Sequence, residues 1–340
     1  MNSSLRQVGT NFFQLVLVLS AATSTMFAVP VVPSTPASPV EQENGKPILG
    51  VYVGNDPTAV LQYEKWLGKP TDGILAFTGD ANWQDYDGCV PWAMSLWSQF
   101  DRRVLWSVPL IPKGANLADA AKGAYTGHWK KIATELAQWH PHEPIIYIRT
   151  GWEFNGDWFP CSAIHQPANF IGAWRQFVSV FRAASPRFRF DWCPAGADKM
   201  GMNAEDAYPG DDYVDVIGLD VYDQTIWCKI ANPVERWNKI YLNGYHGLTW
   251  HRDFAKQHHK PMSYPEWGGG GNESGDNPFF IEQMHKWFIE NHVIYASYWN
   301  SDAAYKGQLS SGQYPLAEAK YRELFNENSV ANPASSSVSP

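Results

Sequence analysis

Two glutamates are the strongest candidates for catalysis, because each follows an apolar segment and lies among tryptophan, glycine and asparagine rather than in a charged run. Glu153 lies in WEFNGDW and Glu266 lies in PEWGGGGN. Cleavage of a glycosidic bond uses two such carboxyl groups, one protonated to assist the leaving oxygen and one ionised to meet the oxocarbenium-like carbon. We predict Glu153 as the acid/base and Glu266 as the nucleophile. A separation of about 5–5.5 Å between the carboxyl groups would imply retention of configuration.

Polar and aromatic residues near these glutamates are predicted to support them. We expect Arg149 to keep a nearby carboxylate ionised and Tyr222 to orient the nucleophile through a hydrogen bond, and we assign both to the substrate-binding residues. Asn155 and Trp158 are predicted to contact substrate, and Trp299 is predicted to form the floor under a sugar ring. In the alternative interpretation, Arg149 forms a buried ion pair with the acid/base glutamate, the tryptophans are ordinary core residues, and the Tyr222 hydroxyl has a structural partner.

The elements that must position these residues are eight short apolar runs of strand length. They are residues 48–54, 73–79, 103–110, 144–153, 188–195, 214–222, 261–267 and 293–300. Near-continuous apolar strands that alternate with amphipathic helices predict a parallel sheet covered by helices, and eight such units predict a single-domain (β/α)8 TIM barrel. An open doubly wound sheet is the alternative, but GVYVGNDP after the first run lacks the GxGxxG pattern.

Helical spacing of apolar residues separates several of these runs. The positions are Val60, Tyr63 and Leu67; Trp129, Ile132 and Leu136; Phe170, Trp174, Phe177 and Phe181; and Ile281, Met284 and Phe288. Two of these helices are predicted to begin at Asp56-Pro57 and Asn277-Pro278, where a capping side chain precedes a residue with no N–H to satisfy.

A barrel would bring the candidate residues to one face, because the active sites of such barrels form at the carboxyl ends of the strands. Positions two apart in a strand share a face. The sets expected to point together into the mouth are Arg149, Gly151 and Glu153; Asp220 and Tyr222; Tyr264 and Glu266; and Ser297 and Trp299.

Composition narrows the class of partner. The 340 residues carry a formal net charge of -8 and no lysine or arginine run, which argues against nucleic acid as a ligand. Aromatic residues make up 15% and include 17 tryptophans, whose flat faces suit stacking on sugar rings. An extended cleft is predicted from aromatic residues that are expected to be exposed, namely Trp83, Tyr86, Trp92, Trp158 and Trp227. Such a cleft favours endo action on a polysaccharide. The protein is expected to be a monomer.

The ends of the chain are predicted to lie outside the catalytic domain. Residues 1–28 contain Arg6 followed by the apolar run FFQLVLVLSAA and resemble a secretory signal, with a retained N-terminal anchor as the alternative. Residues 29–46 are predicted to be a Pro/Ser-rich linker, 47–327 the folded domain, and 328–340 a disordered tail. The mature chain is expected to be secreted or periplasmic, without stable membrane insertion.

The cysteines and histidines give only weak indications of a disulfide or a metal site. An exported chain can oxidise its cysteines, and Cys161 and Cys193 follow neighbouring predicted strands, so this pair is the first candidate for a disulfide; buried free thiols are the alternative. The pairs His140/His142 and His258/His259 precede apolar strands in polar loops. We therefore predict neither a metal site nor a cofactor.

Longer motifs resemble the glycoside hydrolase family 26 β-mannanases, over most of 47–327. The motifs are IRTGWEFNGDW, YPGDDYVDVIGLDVYD, PMSYPEWG and ASYWN. The resemblance implies a retaining (β/α)8 hydrolase, with the roles given above for Glu153, Glu266, Tyr222 and Trp299. The family usually has histidine immediately before the acid/base glutamate, whereas Trp152 stands here and is assigned to the substrate site. SVPLIP stands where the family places a histidine near the third strand.

The predicted function is therefore a secreted, retaining endo-β-glycosidase that hydrolyses a β-linked polysaccharide, with β-mannan as the default substrate. Hydrolysis of β-glucan, xylan or a bacterial exopolysaccharide remains an alternative. A non-catalytic carbohydrate-binding barrel is the alternative from another class of protein.

Overall fold

Nine parallel strand segments form one closed sheet in the structure, a computed structural model that describes residues 46–196, 201–269, 274–304 and 306–326. The segments are β1 (Ile48–Tyr52), β2 (Gly73–Phe77), β3 (Arg103–Ser107), β4 (Ile146–Arg149), β5 (Phe188–Trp192), β6 (Val216–Gly218), β7 (Val221–Tyr222), β8 (Met262–Gly268) and β9 (Tyr295–Trp299). β6 and β7 occupy one strand position, because both pair with β8. The sheet thus has eight strand positions.

The barrel closes through two sets of parallel pairings. β1 pairs with β9 over its whole length, with Tyr52 opposite Trp299. β6 pairs with β8, with Ile217 opposite Met262, which joins the two ends of the sheet. The predicted (β/α)8 TIM barrel is confirmed, and each of the eight predicted strand runs contains a strand.

Ten α-helices of the described residues follow the strands along the chain. They are α1 (Pro57–Leu67), α2 (Trp83–Trp97), α3 (Leu117–Ala121), α4 (Thr126–Leu136), α5 (Pro167–Ala184), α6 (Thr225–Cys228), α7 (Pro233–Arg236), α8 (Leu248–Gln257), α9 (Pro278–Glu290) and α10 (Pro315–Phe325). The two predicted helix starts are confirmed, since the Asp56 carboxylate accepts from the N–H groups of Thr58 and Ala59 and Asn277 accepts from that of Phe280. None of the described helices has the length and apolar character needed to cross a membrane.

Two hydrophobic clusters hold the fold together. A small cluster fills the barrel interior, where Tyr147 of β4 meets Tyr295 of β9 with ring centroids 5.3 Å apart. A larger cluster packs the helices onto the outside of the sheet and contains the fully buried Trp129, Trp174 and Trp267. Much of the tryptophan content therefore serves the packing of helices on strands rather than sugar contact.

Two strands differ from their predicted geometry in ways that matter for the site. β4 ends at Arg149, and a series of turns follows it, so Gly151 and Glu153 do not continue the alternation of the strand. In β8 the pairing with β9 shifts between Tyr264 and Trp267. The predicted shared face of Tyr264 and Glu266 is wrong, because this bulge lets Tyr264 pack outward on α9 while Glu266 points inward.

The predicted disulfide is also wrong, since all four cysteines are free thiols. The Cys161 thiol faces the carbonyl oxygen of Trp152 at 3.8 Å, whereas the Cys193 thiol faces the Asp220 carboxylate at 3.2 Å. The two thiols therefore have different partners. The predicted signal segment, almost all of the linker and the predicted tail lie outside the described residues.

Candidate active site

Glu266 lies at the carboxyl end of β8 and points into the barrel mouth. Its carboxylate accepts hydrogen bonds from the Arg149 guanidinium and from the Tyr222 hydroxyl, the latter at 2.5 Å. Its backbone N–H donates to the Asp220 carboxylate at 3.0 Å. Bulges re-aim side chains and tolerate proline, and Pro265 immediately precedes this glutamate. Both the direction and the charge of the Glu266 side chain are therefore supported by neighbouring strands.

Arg149 is the centre of this charged group. Its side chain is only 2% exposed and donates to Ser107 at 3.0 Å and to both oxygens of Asp220 at 2.8 and 3.0 Å, besides Glu266. Burial alone would lower the pKa of the guanidinium, but the Asp220 and Glu266 carboxylates raise it well above its ordinary value. A positive charge thus lies against Glu266 and forms an ion pair with its carboxylate.

Glu153 reaches the mouth through a tight loop. Its backbone is left-handed with φ of 50°, a conformation that is uncommon for residues other than glycine and that is associated with functional sites. Gly151 has φ of 53°, and a Cβ atom there would lie 2.9 Å from the Phe170 ring. The Glu153 N–H donates to the Cys193 carbonyl at 2.8 Å, which fastens the loop beyond the end of β5.

Asn155 holds the same loop in place. Its side-chain amide donates to the carbonyl of Ala195 at 2.9 Å and accepts from the N–H of that residue at 2.8 Å. The side chain is fully buried, so both amide atoms are engaged within the protein. The prediction of a substrate contact for Asn155 is corrected: its amide clamps the loop that presents Glu153.

The Glu153 carboxyl group has an environment unlike that of Glu266. It is half-buried and accepts a hydrogen bond from the indole N–H of Trp158 at 2.7 Å. Burial, and then the charge of Glu266, raise its pKa to about 7, while the Trp158 hydrogen bond and Arg149 act in the opposite direction. A carboxyl group with this pKa is largely protonated below neutrality and can donate a proton.

Aromatic rings line the mouth beside the carboxyl groups. Trp299 is 8% exposed and stacks on Tyr52 with ring centroids 4.1 Å apart. Phe77 meets the edges of both rings, at 5.1 Å from Tyr52 and 6.0 Å from Trp299. Trp152 continues this group, 5.5 Å from Phe77. The mouth therefore combines charged groups with flat apolar surfaces.

The structure brings most of the predicted residues to one place, although two of them have no direct access to a ligand. Trp152 is buried between Phe77 and Phe159, with the Arg149 guanidinium 5.1 Å from its ring, so its contacts are internal. Arg149 faces Glu266 and Asp220 rather than the open mouth. The direct substrate contacts predicted for Trp152 and Arg149 are therefore corrected to contacts within the protein, and the alternative ion pair of Arg149 with Glu153 is replaced by pairs with other carboxylates.

Exposure of the predicted cleft aromatics is mixed. Trp92 and Trp158 are 51% and 49% exposed. The predicted exposure of Tyr86 is wrong, because its side chain is 1% exposed and its hydroxyl donates to the Pro109 carbonyl. Trp83 is half-buried and stacks on His128. The side chain of Trp227 lies outside the part of the chain that is described.

Sequence reasoning expected Asp220 at the mouth without giving it a role, and it missed Tyr52 and a buried acid in the barrel. Asp220 orients Arg149 and the backbone of Glu266, and Tyr52 lies against Trp299. Asp191, opposite Arg149 in the pairing of β4 with β5, accepts from Ser263 and Tyr295, and burial raises its pKa to about 6. Alternation along β1 was the available signal for Tyr52, which ends that strand. In the described ranges no three His, Cys, Asp or Glu side chains are grouped to hold a metal ion.

Comparison with known proteins finds similarity to one glycoside hydrolase family over part of the chain. The model of glycosyl hydrolase family 26 matches residues 116–241. Endoglucanase H of Acetivibrio thermocellus is 23% identical over 310 residues, covering 84% of this chain and 31% of that relative. The chain therefore spans about a third of that relative's length.

Solved structures share the fold at low identity. A mannanase of Bacillus subtilis has a TM-score of 0.56 at 15% identity, covering 80% of this chain and 84% of its own. A GH26 β-mannanase of Bacteroides ovatus has a TM-score of 0.55 at 15% identity, covering 85% and 89%. The protein GH26C of Muricauda sp. has a TM-score of 0.58 at 18% identity, covering 84% and 86%. The family model and the relative bear out the resemblance to glycoside hydrolase family 26, and the solved structures share the barrel fold.

Proposed function

We propose that the chain is a retaining endo-β-glycosidase that hydrolyses a β-linked polysaccharide by double displacement. The observation that carries this proposal is the contrast between two carboxyl groups at one barrel mouth. Glu153 has a pKa raised to about 7, whereas Glu266 accepts from Arg149 and Tyr222. Environments that separate two carboxyl groups in this way are typical of acid and nucleophile pairs.

In the first step of the proposed reaction, a Glu266 oxygen bonds to the anomeric carbon while the bond to the leaving oxygen breaks. Glu153 donates its proton to that oxygen, so the departing sugar leaves as a neutral alcohol. In the second step, the Glu153 carboxylate takes a proton from water, and the resulting hydroxide displaces Glu266 from the anomeric carbon. Two displacements at one carbon return the β configuration.

The neighbouring residues have defined roles in this scheme. Arg149 and Tyr222 fix the direction of the Glu266 carboxylate through their hydrogen bonds. Trp158 orients the Glu153 carboxyl group through its indole N–H, and the exposed face of this indole is available to a sugar. Trp299 is the proposed platform for the sugar ring beside Glu266.

The default substrate of the proposal is β-mannan, supported by structural similarity to a mannanase and a β-mannanase. β-Glucan is a second candidate, because the curated relative is an endoglucanase. Xylan and bacterial exopolysaccharides remain further candidates. A neutral polymer suits a chain of net charge -8 better than a polyanion does. Secretion remains part of the proposal and is supported by the sequence of residues 1–28.

Product analysis by NMR on a panel of β-linked polysaccharides tests the proposal. We expect new reducing ends from one polymer, first in the β configuration, with products of several lengths if action is endo. Initial release of the α anomer would exclude retention. Binding of a polymer without new reducing ends, unchanged in Glu153→Ala, would instead favour the non-catalytic binding barrel.

A further inference from the structure

Tyr52 lies beside the proposed platform but has no role in the scheme above. It ends β1, directly opposite Trp299 of β9 in the strand pairing. The two rings stack at 4.1 Å with planes 28° apart, and the edge of Phe77 lies against them. Tyr52 is half-buried, so part of its side chain reaches the open mouth. The ring is therefore held firmly while its polar end has access to a ligand.

The Tyr52 hydroxyl is a donor without a partner among the residues that the structure describes. It lies near Glu266, and burial together with the Glu266 charge raises the pKa of the phenol, which keeps it protonated. Tyr222, by contrast, donates its hydroxyl to Glu266 at 2.5 Å. Two tyrosines thus face one carboxylate, but one of them has its donor committed and the other does not.

The indole N–H of Trp299, in contrast, is enclosed by the protein. Its Nε1 atom is buried and has no hydrogen-bond partner within the described ranges, as is also the case for the core residues Trp192 and Trp267. The stacked pair therefore offers a ligand the phenol O–H of Tyr52 and not the indole N–H of Trp299.

We propose that Tyr52 is a specificity-determining residue that donates its hydroxyl hydrogen to one hydroxyl oxygen of the sugar bound beside Glu266. This inference rests on the proposed function and identifies a residue by which the site recognises one hydroxyl group of the sugar. Sites built to bond a hydroxyl reject analogues that lack it, because their own polar groups are then left unpaired.

The test pairs Tyr52→Phe with aryl β-glycosides of the preferred sugar that each lack one hydroxyl. For the complete sugar we expect kcat/KM to fall about 10–100-fold, the loss of one hydrogen bond in the transition state. For one deoxy sugar the variant and the wild type should be equal, because the bond is already absent. Tyr222→Phe is the matched control and should slow every sugar by a similar factor, since its hydroxyl acts on Glu266.

Two results would overturn the inference while leaving the proposed function intact. One is an unchanged kcat/KM in Tyr52→Phe on the complete sugar. The other is an equal loss on all deoxy sugars, which would mean that Tyr52 only supports the Trp299 ring. Titration of tryptophan fluorescence with an oligosaccharide of the same polymer gives a readout independent of turnover, and weaker binding by Tyr52→Phe is expected there. A wild type that neither binds nor cleaves any saccharide would overturn both proposals.

Discussion

The end of β8 and the loop after β4 present the same type of side chain to the same mouth by opposite means. Glu266 stands on a strand, turned inward by a bulge, and its carboxylate meets a guanidinium and a phenol. Glu153 stands on a left-handed turn, and its carboxyl group accepts from the exposed indole of Trp158. The two side chains are of one type, and what faces each of them gives the two carboxyl groups different surroundings.

The two regions also differ in how their geometry is secured. The Glu266 side is held by charge, since Arg149 and Asp220 are buried together and bond to its side chain and backbone. The Glu153 side is held by neutral hydrogen bonds, from its own N–H to Cys193 and from the Asn155 amide to Ala195. A strained turn persists only where surrounding bonds over-determine it, and these bonds do so.

Among the substitutions that test the difference between the two glutamates, the largest loss of activity is expected at Glu266. Glu266→Ala should reduce turnover by at least about 10⁴-fold, because no other group can form the covalent intermediate. Steady-state release of reducing ends measures this loss, with the exposed helix residue Glu282→Ala as a matched control that should keep full activity. Residual activity within tenfold of the wild type would remove Glu266 from the nucleophile role.

Glu153→Ala should slow hydrolysis of the polysaccharide by about 10²–10⁴-fold, the usual contribution of a general acid. The loss should be much smaller in the glycosylation step of an aryl glycoside with an activated leaving group, which needs little protonation. Pre-steady-state release of the phenol isolates that step. Equal losses on the two substrates would show that the two glutamates do not divide the work as proposed.

The Asn155→Ala variant tests whether Asn155 holds the Glu153 loop in place or contacts the substrate. Removing the amide leaves the N–H and C=O of Ala195 without their partner, which costs about 1–3 kcal/mol of the free energy of unfolding. We expect a lower Tm and a modest fall in kcat, because the turn that holds Glu153 loosens. Asn238→Ala, which removes an exposed side-chain bond to a helix carbonyl, should leave both unchanged. A raised KM with an unchanged Tm would restore the substrate contact predicted from the sequence.

The barrel and the glutamate pair could be predicted from sequence because both depend on local patterns. Apolar runs of strand length identify eight strands, and acids just beyond such runs identify Glu153 and Glu266. The details that aim these side chains depend on tertiary contacts. Nothing in GWEFNG marks the left-handed turn at Glu153, and strict alternation places Tyr264 on the inward face with Glu266 because it omits the bulge between Tyr264 and Trp267. The Asn155 amide has its partner 40 residues away, beyond the reach of any local pattern.

The smallest expected effect concerns the pH profile and tests whether Glu153 sets it. With its pKa near 7, the acid form of Glu153 is lost as pH rises through neutrality, so kcat/KM should fall on the alkaline side there. The Trp158 hydrogen bond lowers this pKa, and Trp158→Phe should therefore move the alkaline limb upward, by up to about one pH unit. Asp191 also titrates near this range, at about 6, but has no contact with Trp158 among its hydrogen bonds to Ser263 and Tyr295. If the alkaline limb of the kcat/KM profile stays in place in Trp158→Phe, a group other than Glu153 sets that limb. The difference between the two glutamates would then have no effect on the kinetics.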